Sequence, residues 1–576
     1  MINQEIADIL YRIADLLEIK EVEWEPRAYR RAAQAIESYS QDLEEIYKES
    51  GLKGLMEIPG VGKSIASHIE EYIKTGKIQK LKELQSQIPK GLTQMLEVMG
   101  LGPKRISILY KKLKIKNVND LIKSAKQHKI SKLEGFGLKS EENILEAVYY
   151  SRQASKRFLL STGLQTADSI ISQLSKLKEV KKIESMGSTR RMQETVGDLD
   201  ILVITSNPKI VMDTFTKLPE VNKIISKGPT RATVILQNRM QVDLRAIPEE
   251  SYGAAVQYFT GSKQHNIITR KIAIKKGFKL SEYGLFSKSS NKRVASSEKE
   301  IYQKLGLQWI PPELRTASGE IEAAQNNKLP NLVKLRDIQG DLHMHTTWSD
   351  GADSIINMAN AAKKLGYSYI AITDHSKTTA IANGLDDKKL KQQYLDIKKA
   401  RSKVKGIKIL WGTECDILSN GKLDYPDDIL KKFDLVVAAI HSGFKMPKEK
   451  MTERIIKAIK NENVDIMDHP TGRLIDRRPA YRVDLDKVFK ITQETKTAFE
   501  VNCSPNRLDL NDINIKKAIQ KYNLKLTIDS DAHSTSNLNF MNLGVAQARR
   551  GWAEKKDILN TLPLSQLKKY FKKIKI

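Results

Sequence analysis

Residues 187–204 read GSTRRMQETVGDLDILVI. A Gly-Ser turn opens the stretch, and Asp198-Leu-Asp-Ile-Leu-Val-Ile204 closes it with carboxylates alternating against aliphatics. That alternation predicts a β-strand, so Asp198 and Asp200 project from one face of it. Two carboxylates on one face repel unless a divalent cation neutralises them. Downstream, ATVILQNRMQVDLRAI (232–247) reads as a hairpin turning at Gln237-Asn-Arg239. It brings a third carboxylate, Asp243, toward the same point from a neighbouring strand. Three carboxylates beside a nucleoside triphosphate suit a two-metal site: one ion activates a hydroxyl and the other holds the triphosphate. Gly187 and Ser188 begin the turn that would hold phosphate oxygens, helped by Arg190 or Arg191. Taken alone, the DxD strand is also compatible with an ordinary acidic edge strand.

Upstream the pattern is helical. Apolar residues recur at Ile6, Ile9, Leu10, Ile13, Leu16 and Leu17, followed by an Ala-rich stretch from Ala28 to Ile36. Three similar punctuations then follow: IPGVGKSIA (58–66), VMGLGPKRI (98–106) and LEGFGLKSEENI (133–144). Each is an apolar lead, a Gly-x-Gly turn and a helix start. Such a turn aims backbone N–H groups at one anion and suits a DNA phosphate without reading a base. Gly60, Gly62 and Lys63 carry this expectation in the first copy, and Gly100, Gly102, Lys104 and Arg105 in the second. Lys139 lies beyond the third. GVGKS is not the end of an ATP-binding P-loop, because position 57 is Glu where that motif needs glycine. The three segments resemble helix-hairpin-helix motifs.

The 576 residues hold 97 Lys+Arg against 69 Asp+Glu, a net charge of +28. A basic excess of this size favours an acidic polymer as partner, nucleic acid ahead of a membrane surface. Lysine written over solvated faces is the plainer source of the same number. No run of about 18 apolar residues occurs, which excludes a transmembrane helix, and the amphipathic start is not a signal peptide. Two cysteines, Cys415 and Cys503, make no disulfide framework, and a reducing cytoplasm is expected.

From residue 336 strand-like runs (YIAIT, KIL, LVVAAI, TAFEVN, KLTIDS) alternate with helical ones, predicting a β/α barrel. Six of the nine histidines fall between 343 and 533. They lie in DLHMH (341–345), TDH (373–375), AAIHSG (438–443), DHP (468–470) and DSDAH (529–533). With Asp350 and Glu414 they form a His/carboxylate set that suits Zn²⁺, Mn²⁺ or Fe²⁺, up to three ions. Most sit at strand ends, where β/α barrels place their active sites.

Gly187-Ser188, Arg191, Gly197-Asp198-x-Asp200, Asp243 and YFTGS (258–262), in that order, resemble a family X DNA polymerase. The resemblance covers residues 1 to about 316. It implies Asp198, Asp200 and Asp243 as catalytic ligands of Mg²⁺ (or Mn²⁺), with Gly187, Ser188, Arg191 and Gly197 at the nucleotide's phosphates. Tyr258, Phe259 and Gly261 would border its sugar, and Asn266 and Arg270 would face the nascent base pair and template. Two departures stand out. His68 occupies the position where repair relatives carry a Schiff-base lysine, and an imidazole cannot form that adduct. Gln241 stands where relatives often have a basic residue.

The order HxH, Asp, TDH, GxE, His, HP, DxH resembles the polymerase and histidinol phosphatase (PHP) domain. All nine ligand positions are filled: His343, His345, Asp350, His375, Glu414, His441, His469, Asp531 and His533. The resemblance implies a metal-dependent 3′–5′ exonuclease, with end processing at abasic or blocked 3′ termini. Arg507 could grip a phosphate, with a surface salt bridge as its alternative, and Cys415 reads as packing.

The expected fold class is multidomain α+β and α/β. A helical N-terminal domain (1–80) and a helix-hairpin-helix subdomain (81–150) precede a nucleotidyltransferase-type palm with a mixed sheet (151–247). A nucleotide-binding subdomain (248–316), a linker (317–335) and a distorted β/α barrel of the PHP type (336–576) follow. The expected function is gap-filling DNA synthesis in base excision repair with 3′-end trimming. Gapped or primed DNA and deoxynucleoside triphosphates are the expected partners of a cytoplasmic monomer. The alternatives are a histidinol-phosphatase-like phosphoesterase with a DNA-anchoring front half, and a non-catalytic DNA-binding scaffold.

Overall fold

The computed structural model describes residues 2–37, 43–96, 101–138, 140–141, 144–145, 157–571 and 573–575. Gly100 and Lys139 lie outside the described residues. The chain divides into two compact units. One comprises Met1–Arg157, Gly261–Ala295 and Thr316–Glu322, and the other Phe158–Thr260, Ser296–Arg315 and Ala323–Ile576.

In the first unit, helix Ile2–Ile19 buries the predicted stripe Ile6, Leu10, Ile13, Leu16 and Leu17, while Ile9 packs at its edge. Helix Glu25–Glu37 covers it through Tyr29, Ala32, Ala33 and Ile36, and the core continues through Ile58, Ile69, Ile106 and Phe136. Small alanines at helical spacing let the two helices approach closely. The same unit holds helix Lys263–Lys275 and a three-stranded antiparallel sheet of Phe278–Ser281, Gly284–Ser287 and Arg293–Ala295. There His265 is fully buried against Glu320, at 2.8 Å.

The second unit begins with a five-stranded mixed sheet in the order Val180–Ser185, Asp198–Thr205, Gln241–Ile247, Arg231–Leu236, Val221–Lys227. Only the pair Asp198–Thr205 and Gln241–Ile247 is parallel. The predicted hairpin is present, with Arg239 at its turn in the left-handed region (φ 73). Val196, Leu199, Val203, Phe215, Val234 and Val242 form the core. Leu508 and Leu543, from the C-terminal half, complete that core.

Seven parallel strands then follow in sequence order: Gly340–Asp341, Tyr369–Ile372, Lys408–Asp416, Leu435–Ala439, Ile466–Met467, Ala498–Asn502 and Leu526–Asp529. Strands buried on both sides read as the continuous aliphatic runs seen in the sequence. The two edges are joined: Asp531 N–H donates to the His343 carbonyl at 3.0 Å, and His345 N–H to the Ala532 carbonyl at 2.8 Å. The expected β/α barrel is therefore closed by the backbone of its own histidine motifs. Residues 317–335 carry helix Glu320–Gln325, and Val333 is buried with its N–H on the Ala553 carbonyl at 3.0 Å. Among the described residues no helix is long and apolar enough to cross a membrane.

Candidate functional sites

The parallel register of the mixed sheet sets Asp200 opposite Asp243, with Asp198 two residues up the same strand. The three line a cavity of about 300 Å³ together with Arg231, Gln241, Arg245 and Phe259. Burial, then repulsion from Asp198 and Asp243, pushes the Asp200 carboxyl up to about 7. Such a group calls for a cation, and the all-carboxylate donor set fits a hard divalent ion. Asp243 accepts from the Thr233 hydroxyl (2.5 Å), the Gln241 amide (2.7 Å) and Arg231 (3.1 Å). Gln241 thus orients the third carboxylate.

The Gly-Ser turn abuts this cluster. Met186 N–H donates to the Asp200 carbonyl at 2.7 Å. Gly187 adopts a left-handed φ of 58°, and a Cβ there would lie 2.3 Å from Asp200 Oδ2. Only glycine satisfies both demands. The two candidate arginines separate. Arg190 is consumed by Glu298 (3.0 and 3.2 Å) and the Thr260 hydroxyl. Arg191 donates from Nη1 to the Thr260 carbonyl, and its Nε is buried with no hydrogen-bond partner. Burial, then the neighbouring Arg550, lowers its pKa to about 10.

Ser188 continues the turn and Gly197 is exposed just before the carboxylate strand. Tyr258 and Phe259 end helix Tyr252–Thr260, their rings edge to face at 5.1 Å. Gly261 takes a φ of 68°, and Ser262 then caps helix Lys263–Lys275. On that helix Asn266 is buried and Arg270 exposed, its Nε on the Asn266 carbonyl at 3.1 Å.

The barrel gathers all nine predicted ligand residues at one end. His345, Asp350, His375 and His533 form one group with ligand atoms within 4.8 Å; His343, His345 and Asp531 form a second, and His375, Glu414 and His441 a third. Among the described residues the groups this tight are all in the barrel, and the three palm carboxylates are set more loosely. Glu414 is central: His375 Nδ1 lies 2.8 Å, His441 Nε2 3.1 Å and His469 Nε2 3.3 Å from its oxygens. Both Glu414 oxygens, and Nδ1 of His345, His375 and His469, are buried with no hydrogen-bond partner. Buried polar atoms are rarely left so, and coordination to ions would satisfy them. Burial, followed by His375 and His533, lowers His345 to about 3, leaving it neutral as a ligand must be. Burial opposes charge on His375, but Glu414 and Asp350 outweigh it and raise that group to about 11.

Sequence reasoning missed the residues behind these ligands. Glu500 meets His343 Nδ1 and Asp416 meets His441 Nδ1, each at 2.8 Å, leaving Nε2 to face the centre. Asp468 is buried beside His343 and His469. The available signal was position: Asp468 directly precedes His469, Asp416 is two residues past Glu414, and Glu500 lies in the middle of strand Ala498–Asn502. Arg507 is not at the surface. Its side chain is 19% exposed and lies 3.6 Å from Asp531 Oδ2. Cys415 is fully buried.

In the first unit, Gly62 and Gly102 each precede a helix, Lys63–Thr75 and Pro103–Leu113. Their carbonyls accept from Ala66 and Ile106 (2.9 and 3.1 Å), and the Gly137 carbonyl accepts from Glu141 at 3.0 Å. The second glycine of each turn thus makes the same backbone bond into the helix that follows. Gly60, Gly62, Lys63, Gly102, Lys104 and Arg105 are all exposed. His68 is half-buried and stacks on Tyr29, with ring centroids 6.2 Å apart.

A carboxylate-lined palm, glycine turns that open helices and a barrel that gathers nine His, Asp and Glu residues at one end define a DNA polymerase class with an attached phosphoesterase domain. Residues 1–78 match the helix-hairpin-helix domain family, 92–148 the SAM-like helix-hairpin-helix tandem, 255–316 the DNA polymerase beta thumb and 341–504 the PHP domain. The DNA polymerase/3′-5′ exonuclease PolX of Bacillus subtilis (strain 168) is 40% identical over 577 residues, covering 100% of both chains. The chain belongs to the family X DNA polymerases that carry a PHP domain. A probable phosphatase of Thermoanaerobacter sp. (strain X514) is 31% identical over 245 residues, 95% of its own length but 41% of this chain. A probable phosphatase of Caldanaerobacter subterraneus is 34% identical over 177 residues, 30% of this chain. Membership in this family brings divalent-metal dependence with it. Neither the histidinol-phosphatase-like reading nor that of a non-catalytic scaffold is favoured by a polymerase relative that spans the whole chain.

Proposed function

We propose that the chain adds deoxynucleotides to primed or gapped DNA at the palm and removes nucleotides from 3′ ends at the barrel, as a repair enzyme. The observation that carries this reading is two separate clusters of carboxylates and imidazoles, one in the palm cavity and one at the end of the barrel, each of which a divalent cation would complete. Asp198, Asp200 and Asp243 would hold Mg²⁺ or Mn²⁺, and the nine barrel residues Mn²⁺ or Zn²⁺, with Fe²⁺ an alternative. The ions would supply charge neutralisation of phosphate oxygens and a more acidic hydroxyl or water.

The chain's own groups do the rest. The Gly187–Ser188 turn receives the triphosphate against Asp200, and the unpaired Nε of Arg191 faces added negative charge. Phe259 walls the same cavity. At the barrel, Glu500 and Asp416 fix the tautomers of His343 and His441, and Arg507 offers a half-buried guanidinium to a phosphodiester. Lys63, Lys104 and Arg105 hold the DNA backbone at the glycine turns. The domain limits 1–80, 81–150, 151–247, 248–316 and 336–576 belong to the same reading. So does work in the cytoplasm as a monomer, without a strong deoxyribose-phosphate lyase, since His68 has no amine.

A labelled primer on a gapped template tests both activities in one tube. With Mg²⁺ or Mn²⁺ and nucleotides the primer lengthens; with Mn²⁺ and no nucleotides it shortens from its 3′ end. A primer unchanged under both conditions would refute the reading.

A further inference from the structure

The turn that receives the triphosphate is fixed at its start by Asp200 and at its end by the nuclease domain. Arg550, the last residue of helix Met541–Arg550, donates from Nη1 to the main-chain carbonyl of Arg191 at 3.0 Å. Its Nη2 is clamped by Asp512 Oδ2 at 2.5 Å, in the first turn of helix Asp512–Tyr522. The Arg550 side chain is 8% exposed, so water cannot replace the lost contacts. Nearby, Arg473 joins Glu194 at 2.7 Å to the Leu508 carbonyl, and Glu194 in turn accepts the Leu160 N–H through its own carbonyl. Leu508 and Leu543 sit inside the palm's apolar core. The segment 187–194, from triphosphate turn to Glu194, is therefore gripped by barrel residues near one end and by Asp200 at the other.

We propose that Arg550 is a positioning residue for nucleotidyl transfer, placed in the nuclease domain: with Asp512 it holds the Arg191 main chain so that the Arg191 guanidinium addresses the nucleotide's phosphates. This rests on the polymerase reading of the palm. The hydrogen bonds of Arg550 go to the Arg191 carbonyl and Asp512 and to none of the nine barrel residues, so phosphodiester hydrolysis should not depend on it. The consequence is that the palm's affinity for nucleotide is set partly by a domain that performs a different reaction.

The test uses the full chain. Arg550→Ala should raise the KM for deoxynucleoside triphosphate about tenfold with a smaller loss in kcat. Manganese-dependent cleavage of bis(p-nitrophenyl) phosphate should stay unchanged. Asp512→Asn should give a weaker effect in the same direction, and Arg550→Lys should recover part of the lost affinity. Arg549→Ala is the structural control. Arg549 is also an interface arginine, bonded to Glu313 (2.7 Å) and the Val333 carbonyl (2.9 Å), but it does not touch the turn. It should lower the melting temperature while leaving nucleotide KM alone. An Arg550→Ala enzyme with wild-type KM would overturn the proposal, as would matching effects of Arg549→Ala and Arg550→Ala on KM. Failure of the wild-type chain to incorporate nucleotides would instead strike the polymerase reading itself.

Discussion

At the scale of single residues, the palm is decided by how closely Gly187 and Asp200 approach. Replacing Gly187 by Ala would place a methyl group 2.3 Å from Asp200 Oδ2 on a backbone already at φ 58°. The turn or the carboxylate must then shift by about an ångström, and displacement of that size costs on the order of 100-fold in rate. Gly187→Ala should therefore lose primer extension by about 100-fold while nucleotide release at the barrel persists. Near-normal extension would show that the close approach is not needed. The clustering of the three carboxylates and of the nine barrel residues was legible in the sequence because Asp, His and Glu recur there at strand ends at fixed spacing. Their supports were not. Glu500, Asp416 and Asp468 are ordinary acids until the barrel folds them behind imidazoles. The division of labour between Arg190 and Arg191 depends on Glu298, more than 100 residues away in sequence (|i−j| = 108).

At the scale of elements, Glu298 opens helix Glu298–Lys304 and ties it to the Gly187–Ser188 turn through Arg190, and to Arg315 at 2.7 Å. Burial alone would raise its pKa, but Arg315 and Arg190 dominate and hold it at about 2, below the ordinary 4.5. A depressed carboxylate contributes stability that is complete above pH 4.5 and is lost as pH falls toward 2. The difference is worth roughly 3 kcal/mol. Glu298→Gln should be less stable than wild type near neutral pH. The gap should narrow on acidification between pH 4.5 and pH 2, as read by denaturant unfolding. A gap independent of pH would contradict the assignment. Strands and helices here followed hydrophobic period closely, and the hairpin turn fell where Asn-Arg allows positive φ. The closure of the barrel by His343–His345 and Asp531–Ala532 could not be read, because backbone pairing between chain-distant segments leaves no local pattern.

At the scale of the molecule, the net charge of +28 gains meaning from its placement. Lys63, Lys104 and Arg105 are exposed at helix starts that follow two of the glycine turns, whereas many other lysines lie on solvated helices. Backbone binding releases counterions, so log K should fall linearly with log salt by about 0.9 for each phosphate neutralised. Lys63→Gln and Lys104→Gln should each reduce that slope by about one without changing sequence preference. An unchanged slope would return these lysines to the solvated surface.

The central claim is that one chain holds two independent metal centres, and one gel measures it. A labelled primer-template is incubated with Mn²⁺, with and without nucleotides, using wild type, Asp198→Ala/Asp200→Ala and His343→Ala/His345→Ala. The account predicts that the first double variant shortens the primer but never extends it. The second should extend it but never shorten it. Loss of both activities from either variant would contradict the two-centre account.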